Sequence, residues 1–282
     1  MTVQSKTGCK APVLTRPGTA FRGMAVHACP EDFRLLAQLS LYHQPALNYT
    51  VSRLMHRLTK NSFMASLHLR STTAPVLVAA VERDDTYPQL AISHVPRPFV
   101  RELAGYLREG LGIGQASVMT TRDTAEGLER EWPRVGGGPA KLQADNWVWH
   151  QFKTPKALVH TLPAEAKIEY GELAPAGQEN PATAFAALVK GDKRLASISL
   201  HQLSGQNRYL MGDLLESAIE GEEPALLPLL NNMIERAAQN RHSLSVVMGS
   251  RRLCLRTKLL TGHLTNCEAT YRKVDLSSGG PA

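Results

Sequence analysis

The sequence predicts an α+β protein in which helices pack on short antiparallel strands, arranged as two subdomains. Three observations carry that expectation. Apolar residues recur at helical spacing from Phe33 and then switch to a period of two after Met64. Short apolar runs come in pairs separated by Gly, Pro, Asn and Asp. A Gly-Gly-Gly-Pro run at 136–139 divides the patterned chain into two stretches of similar length.

Taken in order, residues 1–22 mix Thr, Ser, Lys, Pro and Gly without periodicity and read as a disordered leader or export signal. A first subdomain covers 23–134. Its first helix starts at Pro30, where a fixed backbone angle and missing donor suit the first helical position, making Cys29 the N-cap; Glu31 and Asp32 favour the positive helix end. Phe33, Leu35, Leu36 and Leu39 follow at helical spacing. A second helix, Asn48 to Thr59, turns Val51, Leu54, Met55 and Leu58 to one side. Alternation at Ala65, Leu67 and Leu69 predicts a strand hairpin with Val76 to Glu82. A further strand, Leu90 to Val95, is closed by Pro96 and Pro98 before a helix from Phe99 to Glu109.

Residues 135–141 form the expected linker, and 142–276 the second subdomain. Strands are expected at Trp147 to Phe152 and Lys167 to Leu173, then a hairpin of Phe185 to Val189 with Arg194 to His201. Residues 214–230 read as two short helices broken at Gly221 to Pro224, half of an ankyrin-type unit, although a single copy makes no solenoid. A last hairpin joins Leu244 to Met248 with Leu253 to Leu259 through residues 249–252, and 277–282 are a disordered tail.

Composition narrows the class. The chain has 282 residues, 43% hydrophobic and 20% charged, enough to bury a core without metal or disulfide staples. Its apolar runs are far shorter than the ~18 residues a spanning helix requires, so no membrane span is expected. The four cysteines, at 9, 29, 254 and 267, form no zinc-ribbon spacing. No metal and no cofactor are expected. Of the net charge of +7, residues 1–30 carry +4 and the last 42 carry +5, so the body between them is slightly acidic. That partition argues against a nucleic-acid groove running over the whole surface. It leaves a basic hairpin of Arg251, Arg252, Arg256 and Lys258, suited to an acidic partner or to a solvated sheet edge. The N-terminus lacks the apolar core of a secretory signal peptide, so any export would proceed without a classical signal.

The leading chemical candidate is Cys29, His68 and Asp84 or Asp85. It sets a thiol at a helix N-terminus, an imidazole on a following strand and a carboxylate after the next strand. The helix dipole favours a thiolate, an imidazole accepts its proton, and a carboxylate fixes the ring's tautomer, which is papain-like logic. The competing reading makes Cys29 a small packing residue and His68 a surface one. The residues ACPEDFRLLAQ (28–38), MASLHLR (64–70), VLVAAVERDD (76–85) and ASISLHQL with the helix pair after it resemble bacterial type III effectors related to the Shigella enterotoxin ShET2 and the EspL cysteine proteases. The resemblance implies a papain-like or related scaffold, a secreted virulence effector acting on a host protein, and a site at Cys29 and Asp84 or Asp85. The family's histidine position, just before Met64, holds Asn61, Ser62 and Phe63 instead, so either His68 substitutes or the site is degenerate. Two alternatives stand beside it: a non-enzymatic protein-interaction module, cytoplasmic if not exported, and a nucleic-acid-binding protein using the basic hairpin. GLGIG at 110–114 reads as a helix C-cap and turn, and His150 and His160 beside Trp147 and Trp149 as aromatic strand packing.

Overall fold

The computed structural model describes residues 13–14, 21–55, 58–69, 75–83, 86–152, 162, 164–172, 183–202, 209–214, 228–229, 232–233, 243–248 and 264–279. It divides into two compact units, the first formed by 1–43, 48–142 and 274–282 and the second by 44–47 and 143–273.

In the first unit β1 (Val13–Leu14) and β2 (Phe21–Val26) lead into α1 (Pro30–His43) and α2 (Pro45–Met55), the last eight residues of which belong to this unit. There follow β3 (Phe63–Leu69), β4 (Val76–Arg83) and β5 (Thr86–Ile92). β1 to β5 form an antiparallel run in chain order, in the registers Val13↔Ala25, Ala25↔Ser66, Ser66↔Leu77 and Ala79↔Ala91. The chain then crosses over through a 3-10 turn (Arg97–Phe99), α3 (Val100–Gly105) and a π turn (Tyr106–Gly110) to β6 (Ala116–Thr121), which lies parallel to β5. α4 (Arg122–Glu131) follows directly.

A strand, a helical crossover and a parallel strand cannot be a hairpin, because parallel neighbours need a long return connection. The expected scaffold of antiparallel strands is therefore corrected, while the α+β class holds. The cause is a strand missed in the sequence. Ala116–Thr121 has the alternating burial of a half-covered strand, but its Ser and Thr residues hide the pattern. One core lies where Ala65, Leu67, Val78, Leu90, Ile92 and Val118 meet Leu103, Leu107, Leu128 and Trp132, all at most 2% exposed. Residues Val76 to Ala80 are buried in unbroken succession, as in a strand covered on both faces. Cys29 does precede the first helical residue, and its carbonyl accepts from Phe33 N–H at 3.2 Å.

The glycine run is bonded into this unit. Gly136, with φ of 84°, caps a 3-10 turn (Pro133–Val135) by donating to Pro133 O, Gly137 N–H reaches Trp132 O, and Gly138 and Ser277 exchange bonds across residues 138–139. Trp132 Nε1 donates to Ser277 O at 2.8 Å. GLGIG forms the expected turn after the helix, with Gly112 at φ of 64°.

The second unit is built from β7 (Ala140–Phe152, from residue 143), β8 (Ala166–Glu172), β9 (Thr183–Lys190), β10 (Lys193–Gln202), β11 (Tyr209–Leu214), β12 (Ser243–Met248) and β13 (Leu264–Leu276, to residue 273). β8, β9, β10 and β11 pair antiparallel in succession, and β11 and β12 are parallel. The hairpin of β9 and β10 turns at Gly191, with φ of 57°, where the sequence places it. The expected hairpin of Leu244 to Met248 with Leu253 to Leu259 is corrected: β12 is flanked by β11 on one side and β7 on the other. Residues 253–259 and the basic set Arg251, Arg252, Arg256 and Lys258 lie outside the described residues, as do most of 214–230.

Candidate functional site

In sheets with parallel strands, ligands gather beyond the carboxyl ends of neighbouring strands that separate. The first unit has such a place. β5 and β6 pair only through Gln89↔Ser117, Leu90↔Val118 and Ala91↔Met119. Beyond Ala91 the chain stays with β4, since Ser93 N–H donates to Leu77 O at 3.0 Å and Leu77 N–H to Ser93 Oγ at 2.8 Å. β6 instead ends at Thr121, the N-cap of α4.

Side chains fill the space between. Thr50, from α2, donates its hydroxyl to Ile92 O at 2.8 Å. Thr124, in the first turn of α4, accepts Val95 N–H at 2.9 Å and donates to Val95 O at 3.2 Å. Thr121 Oγ1 lies 3.0 Å from Thr124 Oγ1 and 2.9 Å from His94 Nδ1. An N-cap threonine ordinarily turns its oxygen to the helix N–H groups; Thr121 makes no such bond. Counting hydrogens assigns the network: Thr124 spends its proton on Val95 O, Thr121 donates to Thr124, and His94 Nδ1–H donates to Thr121. The lone pair of His94 is then on Nε2. Burial lowers the pKa of His94, with Asp123 acting in the opposite sense, so the ring is neutral near pH 7.

The turn that follows is short of donors. Pro96 and Pro98 have no N–H, Phe99 N–H bonds Pro96 O at 2.9 Å, and Val100 N–H bonds Arg97 O. Arg97 reaches Asp123 at 2.8 Å and Glu126 at 3.9 Å, and Glu126 also accepts from Arg122 at 2.7 Å. These four charges neutralise one another on an exposed rim.

The predicted set lies elsewhere. The Cys29 thiol donates to Glu31 Oε2 at 2.9 Å, a bond that is the first cause of the lowered Glu31 pKa. His68 is exposed on β3, and its Nε2 lies 3.5 Å from Ser66 Oγ, which also meets His27 Nε2 at 2.9 Å. No hydrogen bond joins Cys29 to His68. Asp84 and Asp85 lie outside the described residues. His27 tilts over Phe33 with ring centroids 5.5 Å apart, and burial is the main cause of its lowered pKa. The sequence reading passed over His94, Thr121, Thr124 and Thr50. The signal available was strand, helix, strand in succession from Leu90, had Ala116–Thr121 been recognised.

No family model matches the chain, and no curated protein matches it. Solved structures do. A tandem GNAT (GCN5-related N-acetyltransferase) protein from the clavulanic acid biosynthesis pathway, determined without acetyl-CoA, is similar at 10% identity with a TM-score of 0.55, covering 92% of this chain and 99% of that one. The chain has the GNAT fold. A Drosophila protein from a structural genomics programme is also similar, at 13% identity and a TM-score of 0.57 over 93% of this chain and 100% of that one.

The GNAT fold overturns the resemblance to ShET2 and EspL, and with it the papain-like scaffold, the effector and virulence reading and the cysteine-protease chemistry. That resemblance rested on the order of a capped helix and two apolar strands, which the first half of a GNAT unit supplies equally well. The alternatives of an interaction module and a nucleic-acid binder fare no better, since the basic hairpin behind the second is not among the described residues. No described helix is long and apolar enough to cross a membrane.

Proposed function

We propose that the protein is an acyl-transfer enzyme of the GNAT kind, moving an acyl group from a coenzyme A thioester to an amine. The observation that carries this reading is the likeness to a tandem GNAT protein over nearly the whole of both chains, in a molecule whose two units each hold a parallel strand pair. In such a transfer the amine nitrogen bonds to the thioester carbonyl, the carbon–sulfur bond breaks, and the proton lost by nitrogen is matched by one gained by the thiolate.

A coenzyme A donor asks two things of the protein. Its diphosphate takes backbone N–H groups at the turn into a helix, and its amide-bearing arm takes unpaired backbone at a strand edge. In the turn after β5, Pro96 and Pro98 have no N–H and Phe99 and Val100 bond the chain's own oxygens, while at the edge Ile92 C=O and both backbone groups of Val95 are held by threonines, so this stretch fits the donor poorly and no step is placed there.

The test is thiol release. The full chain carrying Cys29→Ser, which removes one source of background thiol, is incubated with acetyl-CoA and a panel of primary amines and polyamines. Amine-dependent appearance of free coenzyme A, with the acetylated amine found by mass spectrometry, is the expected result. Absence of both, together with no acetyl-CoA binding by calorimetry, overturns the reading.

A further inference from the structure

The cleft at the diverging ends of β5 and β6 is bridged by the protein's own side chains, and we infer that the first unit takes no acyl-CoA there. The bridged cleft stands on geometry alone; its meaning for an acyl donor rests on the acyl-transfer reading.

Three features close the cleft, each independent of the others. The first is the strand edge. Ile92 O accepts from Thr50, and both backbone groups of Val95 are held by Thr124. Thr50 and Thr124 are at most 1% exposed, so these bonds are sheltered from water. A ligand amide binding to this edge would have to displace buried bonds and leave the threonine hydroxyls without partners, at a cost of about 1–3 kcal/mol for each group stranded. The second is the bridge of His94 to Thr121 and on to Thr124, which spans from the end of β5 to the start of α4 across the opening itself. The third is the turn. Over Val95 to Val100, two residues are prolines and Val95, Phe99 and Val100 donate to the chain's own oxygens. The guanidinium that might attract a diphosphate, Arg97, is matched by Asp123 and Glu126. A phosphate site built on a helix start needs N–H groups pointing outward and a positive field. Here the N–H groups of Phe99 and Val100 are spent internally and the charge of Arg97 is matched.

Calorimetric titration of the full chain with acetyl-CoA decides the matter, alongside the variants Arg97→Glu and Arg97→Ala, whose exposed position leaves the core untouched; unchanged melting temperatures confirm their fold. The expected result is no more than one site per chain, with affinities in both variants within threefold of the parent, because the turn at Arg97 meets no phosphate. Two sites per chain, or a loss of affinity beyond threefold in Arg97→Glu, overturns the inference. No binding at all upholds the closed cleft and instead defeats the acyl-transfer reading, so the two failures are told apart.

Discussion

The two parallel strand pairs of this protein have the same neighbours in kind and differ in how they end. β11 and β12 keep register over six positions, from Tyr209↔Ser243 to Leu214↔Met248. β5 and β6 keep it over three, after which His94, Thr121, Thr124 and Thr50 replace backbone partners. Topology brings parallel strands together, but it does not decide whether their ends stay joined. That is set by single residues: Pro96 and Pro98 cannot continue a ladder, and a threonine placed in the first turn of α4 satisfies the N–H and C=O that the ladder abandons.

The comparison can be broken most forcefully from below. Trp132 is fully buried under the first unit's crossover and bonded to Ser277 O. Replacing it with alanine should cost about 3–5 kcal/mol, read as a large drop in denaturant midpoint, because the core that seats α3 and α4 loses its largest side chain. A loss under about 1 kcal/mol would mean that α3 and α4 do not rest on this core.

Thr124→Val is the sharper cut, since valine has the same shape and no hydroxyl. It strands Val95 N–H and C=O and should destabilise by about 1–3 kcal/mol. Thr124→Ser should recover most of the loss, and chemical denaturation of the three proteins measures both. Gly127→Ala belongs to the same range. A Cβ there would sit 2.8 Å from Val100 Cγ1, so α4 must back away from α3, at about 1–3 kcal/mol on thermal or urea unfolding.

How far the sequence leads differs between the same two regions. The capped start of α1 at Cys29 and Pro30, the alternation of β3 and the turn at Gly191 are all legible, because a cap, a period and a glycine in a tight turn act within a few residues. β6 is not legible, because Ser117, Thr120 and Thr121 break its apolar pattern and its burial comes from α3 and α4. Without β6 the crossover vanishes, Leu90 to Val95 reads only as a further strand closed by Pro96 and Pro98, and His94 has no neighbour to act with. The threonines are harder still. Thr50 meets Ile92 across 42 residues and Thr124 meets Val95 across 29, separations at which residue type alone carries no sign of contact. Cys29 and His68 had a familiar order in the chain, but order is not convergence, and the thiol turned to Glu31.

A gentler test uses acid. His94 and His27 have lowered pKa values in the fold, mainly through burial, while unfolded imidazoles titrate near the ordinary value of about 6.5. The unfolded chain therefore binds more protons as pH falls below about 6.5, so their contribution is present above that value and lost towards each folded pKa. Melting temperature should fall between pH 7 and pH 5, and His94→Gln should flatten part of that fall. An unchanged slope in the variant would show that His94 is not held neutral by the network. The smallest effect belongs to Arg97→Ala, whose partners are exposed; its melting temperature should match the parent's within error.

The central claim is that the first unit's cleft is closed by its own hydroxyl and imidazole groups, and amide NMR on the full chain reads it directly. The Val95 N–H should exchange slowly with solvent, and its resonance, with those of His94 and Phe99, should stay fixed as acetyl-CoA is added to saturation. A rapidly exchanging Val95 amide, or saturable shifts at Val95 and Phe99 on adding acetyl-CoA, would contradict the account.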